Sequence, residues 1–230
     1  MQLPAHARQS ANEARAHLLE QGWTEVGQGD WSWVLADPTD TQAARVTPFD
    51  PAYRMFADDC LHGPTNPWLP RIEAIYPVGR NGYVVLMERL WPAHETAAQT
   101  LCAAIGIANQ VEWDNPIQNL PPAEDHDLLD LRRRLTALLA TGSAGFRLWG
   151  GSDIRAGNIM VTARDQLKVV DPLFVKGLEI FAAIRDGQND RLADFTRDQL
   201  EDYLTIPVFP LGPETDALRA KLNRMKLRET

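Results

Sequence analysis

The spacing of apolar residues changes several times along the chain. Between residues 10 and 21 the apolar side chains recur at helical intervals, with Ala14, Leu18 and Leu19 on one face. Ser10 or Asn12 is placed to cap that helix and Gly22 to end it. From 23 to 47 the period shortens to β-type runs. Trp31-Ser32-Trp33-Val34-Leu35-Ala36 reads as one strand, Asp37-Pro38-Thr39-Asp40 as a turn, and Ala43-Ala44-Arg45-Val46 as the start of the next strand. Asp50-Pro51 then opens a helix as N-cap and first helical position. Its apolar side carries Ala52, Tyr53, Phe56, Ala57 and Cys60, and Gly63-Pro64 stops it. Two further strands are predicted at 71–76 and 83–88, across a turn at 79–82.

Beyond Leu90 the pattern becomes helical. Segments 95–109 and 124–140 are periodic, the second through Leu128, Leu131, Leu135, Leu138 and Leu139, and a Pro- and Asn-rich connection at 114–122 joins them. Two brief apolar runs, 158–162 and 167–170, flank a turn-like Ala163-Arg164-Asp165-Gln166. Helices are predicted again over 178–185, 190–204 and 214–226, separated by Pro207, Pro210 and Pro213. There is no internal repeat and no low-complexity tract. The expectation is an α+β chain of two lobes, β-rich over 1–90 and helical over 91–230.

Composition narrows the chemistry. The 230 residues are 44% hydrophobic and 23% charged with a net charge of −8, as in ordinary soluble globular chains, and the acidic balance argues against nucleic-acid or membrane-surface partners. No run approaches the roughly 18 apolar residues of a spanning helix, and the first residues lack the apolar centre of a signal peptide. A cytoplasmic location is expected. Cys60 and Cys102 are the only cysteines and the five histidines show no ligand spacing, so neither a disulfide framework nor a Cys/His zinc site is expected. The basic residues are 19 Arg and 4 Lys, the first being Lys168, which excludes a lysine-dependent step in the first two thirds of the chain. Arg132-Arg133-Arg134, on a leucine-rich helix, reads as a solvated face or a docking patch.

Three short runs carry possible chemistry. Gly27-Gln28-Gly29-Asp30-Trp31-Ser32-Trp33-Val34 places two glycines before an apolar strand, where backbone amides can approach a phosphate; a hairpin without a ligand has the same signature. Asp153-Ile154-Arg155-Ala156-Gly157-Asn158 puts a carboxylate and an amide five positions apart, one suited to orient a hydroxyl and the other to ligate a hard cation. Asp171-Pro172-Leu173 follows the strand Leu167-Lys168-Val169-Val170, so its carboxylate is one hairpin away from Asn158. The plain alternative is that Asp153 caps a turn and Asp171 begins one.

In this order and spacing the three runs resemble the protein-kinase-like superfamily. The first follows G-x-G-x-x-G-x-V, with Ser32 at the third glycine position. Ala43-Ala44-Arg45 falls where the family has Ala-x-Lys, and Leu86-Met87-Glu88-Arg89-Leu90 looks like the strand entering the hinge. Asn66-Pro67-Trp68-Leu69-Pro70-Arg71-Ile72 is similar to the link after the first main helix. The resemblance spans 23–174 and implies a two-lobed protein-kinase-like fold with a reduced helical second lobe. It implies an ATP- and Mg²⁺-dependent kinase in which Asp153 orients the substrate hydroxyl and accepts its proton, Asn158 and Asp171 hold metal, and Arg155 reaches the transferred phosphate. ATP would meet Gly27, Gly29, Trp31, Val34, Ala43, Arg45, Met87, Glu88 and Leu90. The expected acceptor is a protein Ser or Thr. A small-molecule kinase, or a pseudokinase that binds nucleotide or a partner protein, is the alternative.

Departures from the family pattern bear on activity. Arg45 stands at the phosphate-pairing lysine, and the helix that should supply its glutamate partner has only Asp58 and Asp59. Arg45–Asp59 is the expected exchange; Asp58 as partner, both acids as solvated surface groups, and Arg45 as a plain strand residue remain open. Gly151 replaces the usual His two before Asp153, and Pro172-Leu173 replaces Phe-Gly after the metal-binding Asp, stiffening that turn.

Overall fold

The computed structural model describes residues 3–107, 125–209 and 212–227. The expected connection at 114–122, residues 108–109 of one predicted helix and Glu124 of the next lie outside the described residues. In chain order the elements are α1 (Ala11–Glu20), β1 (Thr24–Gln28), β2 (Trp33–Ala36), β3 (Gln42–Thr47), α2 (Pro51–His62), β4 (Ile72–Val78) and β5 (Gly82–Glu88). There follow β6 (Trp91–Pro92), α3 (Glu95–Ile105), α4 (His126–Gly145), β7 (Trp149–Ser152), β8 (Ile159–Val161), β9 (Leu167–Val169) and β10 (Leu173–Val175). The last helices are α5 (Gly177–Asp186), α6 (Arg197–Tyr203) and α7 (Pro213–Leu222). The chain is therefore mixed α+β, and hairpin, third strand, helix and two further strands come in the expected order. Among the described residues no helix is long and apolar enough to cross a membrane.

Local chemistry sets the boundaries. Ser10 Oγ caps α1 by accepting from Glu13 N at 3.2 Å, and Asp125 caps α4 by accepting from Asp127 N at 2.8 Å. Thr196 and Gln199 close a reciprocal capping box on α6. Gly106 and Gly187, at φ 69° and 71°, end α3 and α5 in the left-handed conformation that glycine adopts without strain.

Contacts cluster into two units. The first comprises Met1–Asp50, Glu73–Met87 and Lys176–Thr230; the second comprises Pro51–Ile72 and Glu88–Val175.

The first unit is built on a sheet of order β1-β2-β3-β5-β4. One face buries Trp33, Leu35, Ala44, Val46, Val78 and Val84 against Ala11, Ala14 and Leu18 of α1. The C-terminal helices join this unit for identifiable reasons. Trp31 packs 5.4 Å from Tyr203 and Phe49 packs 6.1 Å from Phe195, ring centroid to ring centroid. Arg80 pairs with Asp198 and Glu201 of α6, and Asn81 Nδ2 donates to Asp202 at 2.8 Å.

In the second unit, α2 and the link after it are fastened to α4 and β9. Arg134 Nε donates to Asp59 Oδ2 at 2.9 Å and Nη1 donates to Pro64 O at 2.6 Å. Asn66 Nδ2 donates to Asp127 O at 2.8 Å, and Lys168 Nζ donates to Pro67 O at 2.8 Å. These bonds correct the reading of Arg132-Arg133-Arg134 as a solvated face. Arg132 and Arg134 are buried, the first donating to Ala104 O, while Arg133 is exposed.

Candidate functional site

Two antiparallel ladders bring Asp153, Asn158 and Asp171 together within the second unit. In the first, β7 pairs with β10 through Leu173↔Ser152 and Phe174↔Gly151, so Asp153 leaves one strand where Asp171-Pro172 enters the other. Asp153 N donates to Pro172 O at 2.8 Å and closes that end. In the second, β8 pairs with β9 through Ile159↔Val169, and Val170 N donates to Asn158 O at 2.8 Å. Backbone pairing thus fixes all three residues before any side chain is considered.

Side-chain bonds then lock the cluster. Asn158 Nδ2 donates to Asp153 O at 2.8 Å, Asp153 Oδ2 at 2.9 Å and Asp171 O at 3.0 Å. All three partners are acceptors, which fixes the amide orientation. Among the described residues Asn158 Oδ1 has no donor recorded against it. Arg155 Nε lies 3.0 Å from Asp153 Oδ1, an ion pair out of line for a hydrogen bond. Asp171 holds φ 53°, a left-handed conformation seldom taken by residues other than glycine, asparagine and aspartate.

The electrostatics follow from this packing. Burial raises the Asp153 pKa above the ordinary aspartate value; the Arg155 charge and the Asn158 hydrogen bond oppose the rise, and the Asp171 charge adds to it. A second carboxylate whose charge reaches Asp153 is what a shared-cation site requires. The Asp171 carboxylate and the Asn158 amide oxygen are hard-oxygen donors, the type Mg²⁺ takes alongside phosphate oxygens and water. Among the described residues no cluster of three or more His, Cys, Asp or Glu offers a denser cation site.

The Gly151 departure noted in the sequence has a structural cause here. Gly151 sits at φ 101°, which a histidine would adopt only under strain. The Phe174 ring lies over Gly150 so closely that a Cβ there would come within 2.2 Å of it. Glycine in this strand is demanded by the ladder that positions Asp153.

In the first unit, the register Gly27↔Val34 and Val34↔Arg45, with Ala36↔Ala43, places Gly27, Val34, Ala43 and Arg45 on one sheet face, opposite the face packed on α1. Four of the predicted nucleotide residues therefore share a surface. A Cβ at Gly29 would meet nothing within 4 Å, and at Gly27 only Val34 Cβ at 3.9 Å, so packing requires neither glycine. Trp31 is packed against Phe49, Tyr203 and Gly177. Met87 is buried near the end of β5.

Arg45 Nη2 pairs at 3.2 Å with Asp50 Oδ2, both side chains being buried, and Asp59 is taken by Arg134. Asp50 immediately precedes α2 rather than lying within it. Tyr83 Oη donates to Asp50 O at 2.7 Å and fixes the backbone there. In the second unit Glu88 accepts from Arg71 N at 2.8 Å and lies 3.7 Å from buried Lys168, while Leu90 is buried. The sequence carried a hint of the Lys168 role, since a lysine inside an apolar run needs a partner.

No family model matches the chain, and no curated protein matches it. Among solved structures it is similar to the aminoglycoside phosphotransferase APH(3'')-Id from Streptomyces rimosus ATCC10970, with 15% identity, a TM-score of 0.36, and coverage of 93% of this chain and 98% of that chain. A likeness that loose assigns no role to any residue of this chain.

Proposed function

We propose that the chain is an ATP- and Mg²⁺-dependent phosphotransferase of the protein-kinase-like type, working through Asp153, Asn158 and Asp171. The observation that carries this reading is the single Asn158 amide bonded to the Asp153 carboxylate and to the Asp171 backbone carbonyl, which holds the three residues together with the Asp171 charge within reach of Asp153. Asp171 and Asn158 Oδ1 would hold the cation. When bound, Mg²⁺ would neutralise charge on the ATP phosphates.

Asp153 orients the acceptor hydroxyl. As that oxygen bonds to the γ-phosphorus and the bond from phosphorus to the β–γ bridging oxygen breaks, the hydroxyl proton passes to Asp153 and ADP leaves. Arg155, exposed and beside Asp153, moves from that carboxylate toward the incoming phosphate. Gly27, Gly29, Val34, Ala43 and Arg45 form the nucleotide face of the sheet, and Met87, Glu88 and Leu90 receive the adenine.

The Asp153-Ile154-Arg155 run favours a protein serine or threonine as acceptor; a small-molecule hydroxyl suits the same centre. A second reading, a nucleotide-binding regulator without transfer, is favoured by the buried pairing of Arg45 with Asp50, which offsets the charge a phosphate would use. The test is incubation with labelled ATP and Mg²⁺, followed by phosphosite mapping on protein and by assay of hydroxylated small molecules, aminoglycosides included. Transfer that disappears in Asp153→Ala supports the proposal. ATP binding without transfer supports the regulator.

A further inference from the structure

The glycine hairpin has little of its own to hold it. All five residues of β1 are exposed, β2 is its sole sheet neighbour among the described residues, and Gly27 lies within the strand with Gly29 following it toward the tip. Such a segment has many conformations to lose when it orders on a ligand.

Its tip is nevertheless fastened. Val208 N donates to Asp30 O at 3.1 Å. The Trp31 indole sits on Gly177, where a Cβ would come within 2.9 Å of Cζ2, and its centroid is 5.4 Å from Tyr203 and 6.4 Å from Phe49. Tyr203 Oη donates to Gly177 O at 2.8 Å, closing the floor of the socket. Burial raises the Tyr203 pKa, and the nearby Asp30 charge raises it further, so the phenol stays a donor.

We propose that Trp31 is a positioning residue: seated in a socket made by Phe49 and by Gly177 and Tyr203 of the C-terminal helices, it pre-orders the Gly27–Gly29 hairpin for nucleotide. This rests on the phosphotransferase reading for the ligand, though not for the anchoring. The indole serves by its own packing and need not touch ATP. If release leaves the hairpin ordered about a tenth of the time, the apparent Kd for ATP rises about tenfold, with little change in the chemical step.

The test compares Trp31→Ala, Trp31→Phe, Gly177→Ala and Leu178→Ala with wild type. Leu178 adjoins the socket in sequence but is 88% exposed. Trp31→Ala and Gly177→Ala are expected to speed amide hydrogen exchange at residues 27–32 about tenfold while residues 42–47 stay protected. They are expected to raise the Kd and KM for ATP about tenfold with kcat within about twofold. Trp31→Phe recovers most of both effects, and Leu178→Ala matches wild type. Unchanged exchange at 27–32 in both releasing variants overturns the inference, as does tighter ATP binding on release. A wild-type protein that binds no ATP overturns the phosphotransferase reading, while exchange alone still decides the anchoring.

Discussion

The acid cluster and the glycine hairpin are built on opposite principles. Asp153, Asn158 and Asp171 are fixed by two strand ladders, a backbone bond from Asp153 N to Pro172 O, and an amide with three acceptors. The hairpin has an exposed edge strand, tied to α1 by the Arg15–Glu25 ion pair, and an apolar anchor at its tip. The glycines show the same contrast. Gly150 and Gly151 are required by a ring overhead and by a left-handed φ, whereas Gly27 and Gly29 are required by neither. A glycine the fold does not need is the better sign of a ligand. A glycine the fold does need explains why a usual histidine is missing.

The largest test of this contrast removes the Asp153 charge. Asp153→Asn should lower phosphate transfer by about three orders of magnitude while ATP binding stays within about twofold, measured by single-turnover transfer and by calorimetry. Next, Gly150→Ala drives a methyl into the Phe174 ring and should destabilise the protein by about 1–3 kcal/mol, read from denaturant midpoints, with transfer falling alongside. Gly27→Ala should do the reverse. Stability should stay within about 0.5 kcal/mol of wild type, because the new methyl meets only Val34, while the Kd for ATP rises several-fold. A Gly27→Ala protein that lost stability and kept its affinity would erase the distinction.

The smallest effect is in the pH profile. The Asp153 pKa is raised, chiefly by burial, so the acid limb of kcat/KM should lie above the ordinary aspartate range, activity falling as protons return to the base. Arg155 opposes the rise, so Arg155→Met should move that limb to higher pH. The stability sign agrees. A folded pKa above the unfolded one makes the Asp153 contribution most favourable below the unfolded value, and it is lost as pH rises through the folded value. Arg155→Met should therefore lose somewhat more stability than wild type across that window, measured by melting at stepped pH.

Much of this was legible in the sequence because it is local. The strand at Val34, the helix opened by Pro51 and the hairpin between Asn158 and Asp171 follow from period, caps and turns. Partner choice was not. Arg45 takes Asp50, five residues away, and Asp59 takes Arg134, 75 residues away; no spacing rule ranks one carboxylate over another. The grouping of the C-terminal helices with the first sheet was equally hidden, since it depends on which aromatic rings meet Trp31 and Phe49. Arg132 and Arg134 looked solvated because three adjacent cations resemble a surface, yet a helix turns two of them inward.

The most direct measurement is calorimetric titration of ATP, with and without Mg²⁺, into wild type and Asp171→Asn. Asparagine suits the φ 53° backbone at that position, so the substitution removes charge without adding strain. Wild type should bind ATP about tenfold or more tightly with Mg²⁺ than without, a difference of about 1.4 kcal/mol, and Asp171→Asn should lose most of that difference. Equal affinity with and without Mg²⁺ in wild type, or a Mg²⁺ effect untouched by Asp171→Asn, would contradict a metal–nucleotide centre on these residues.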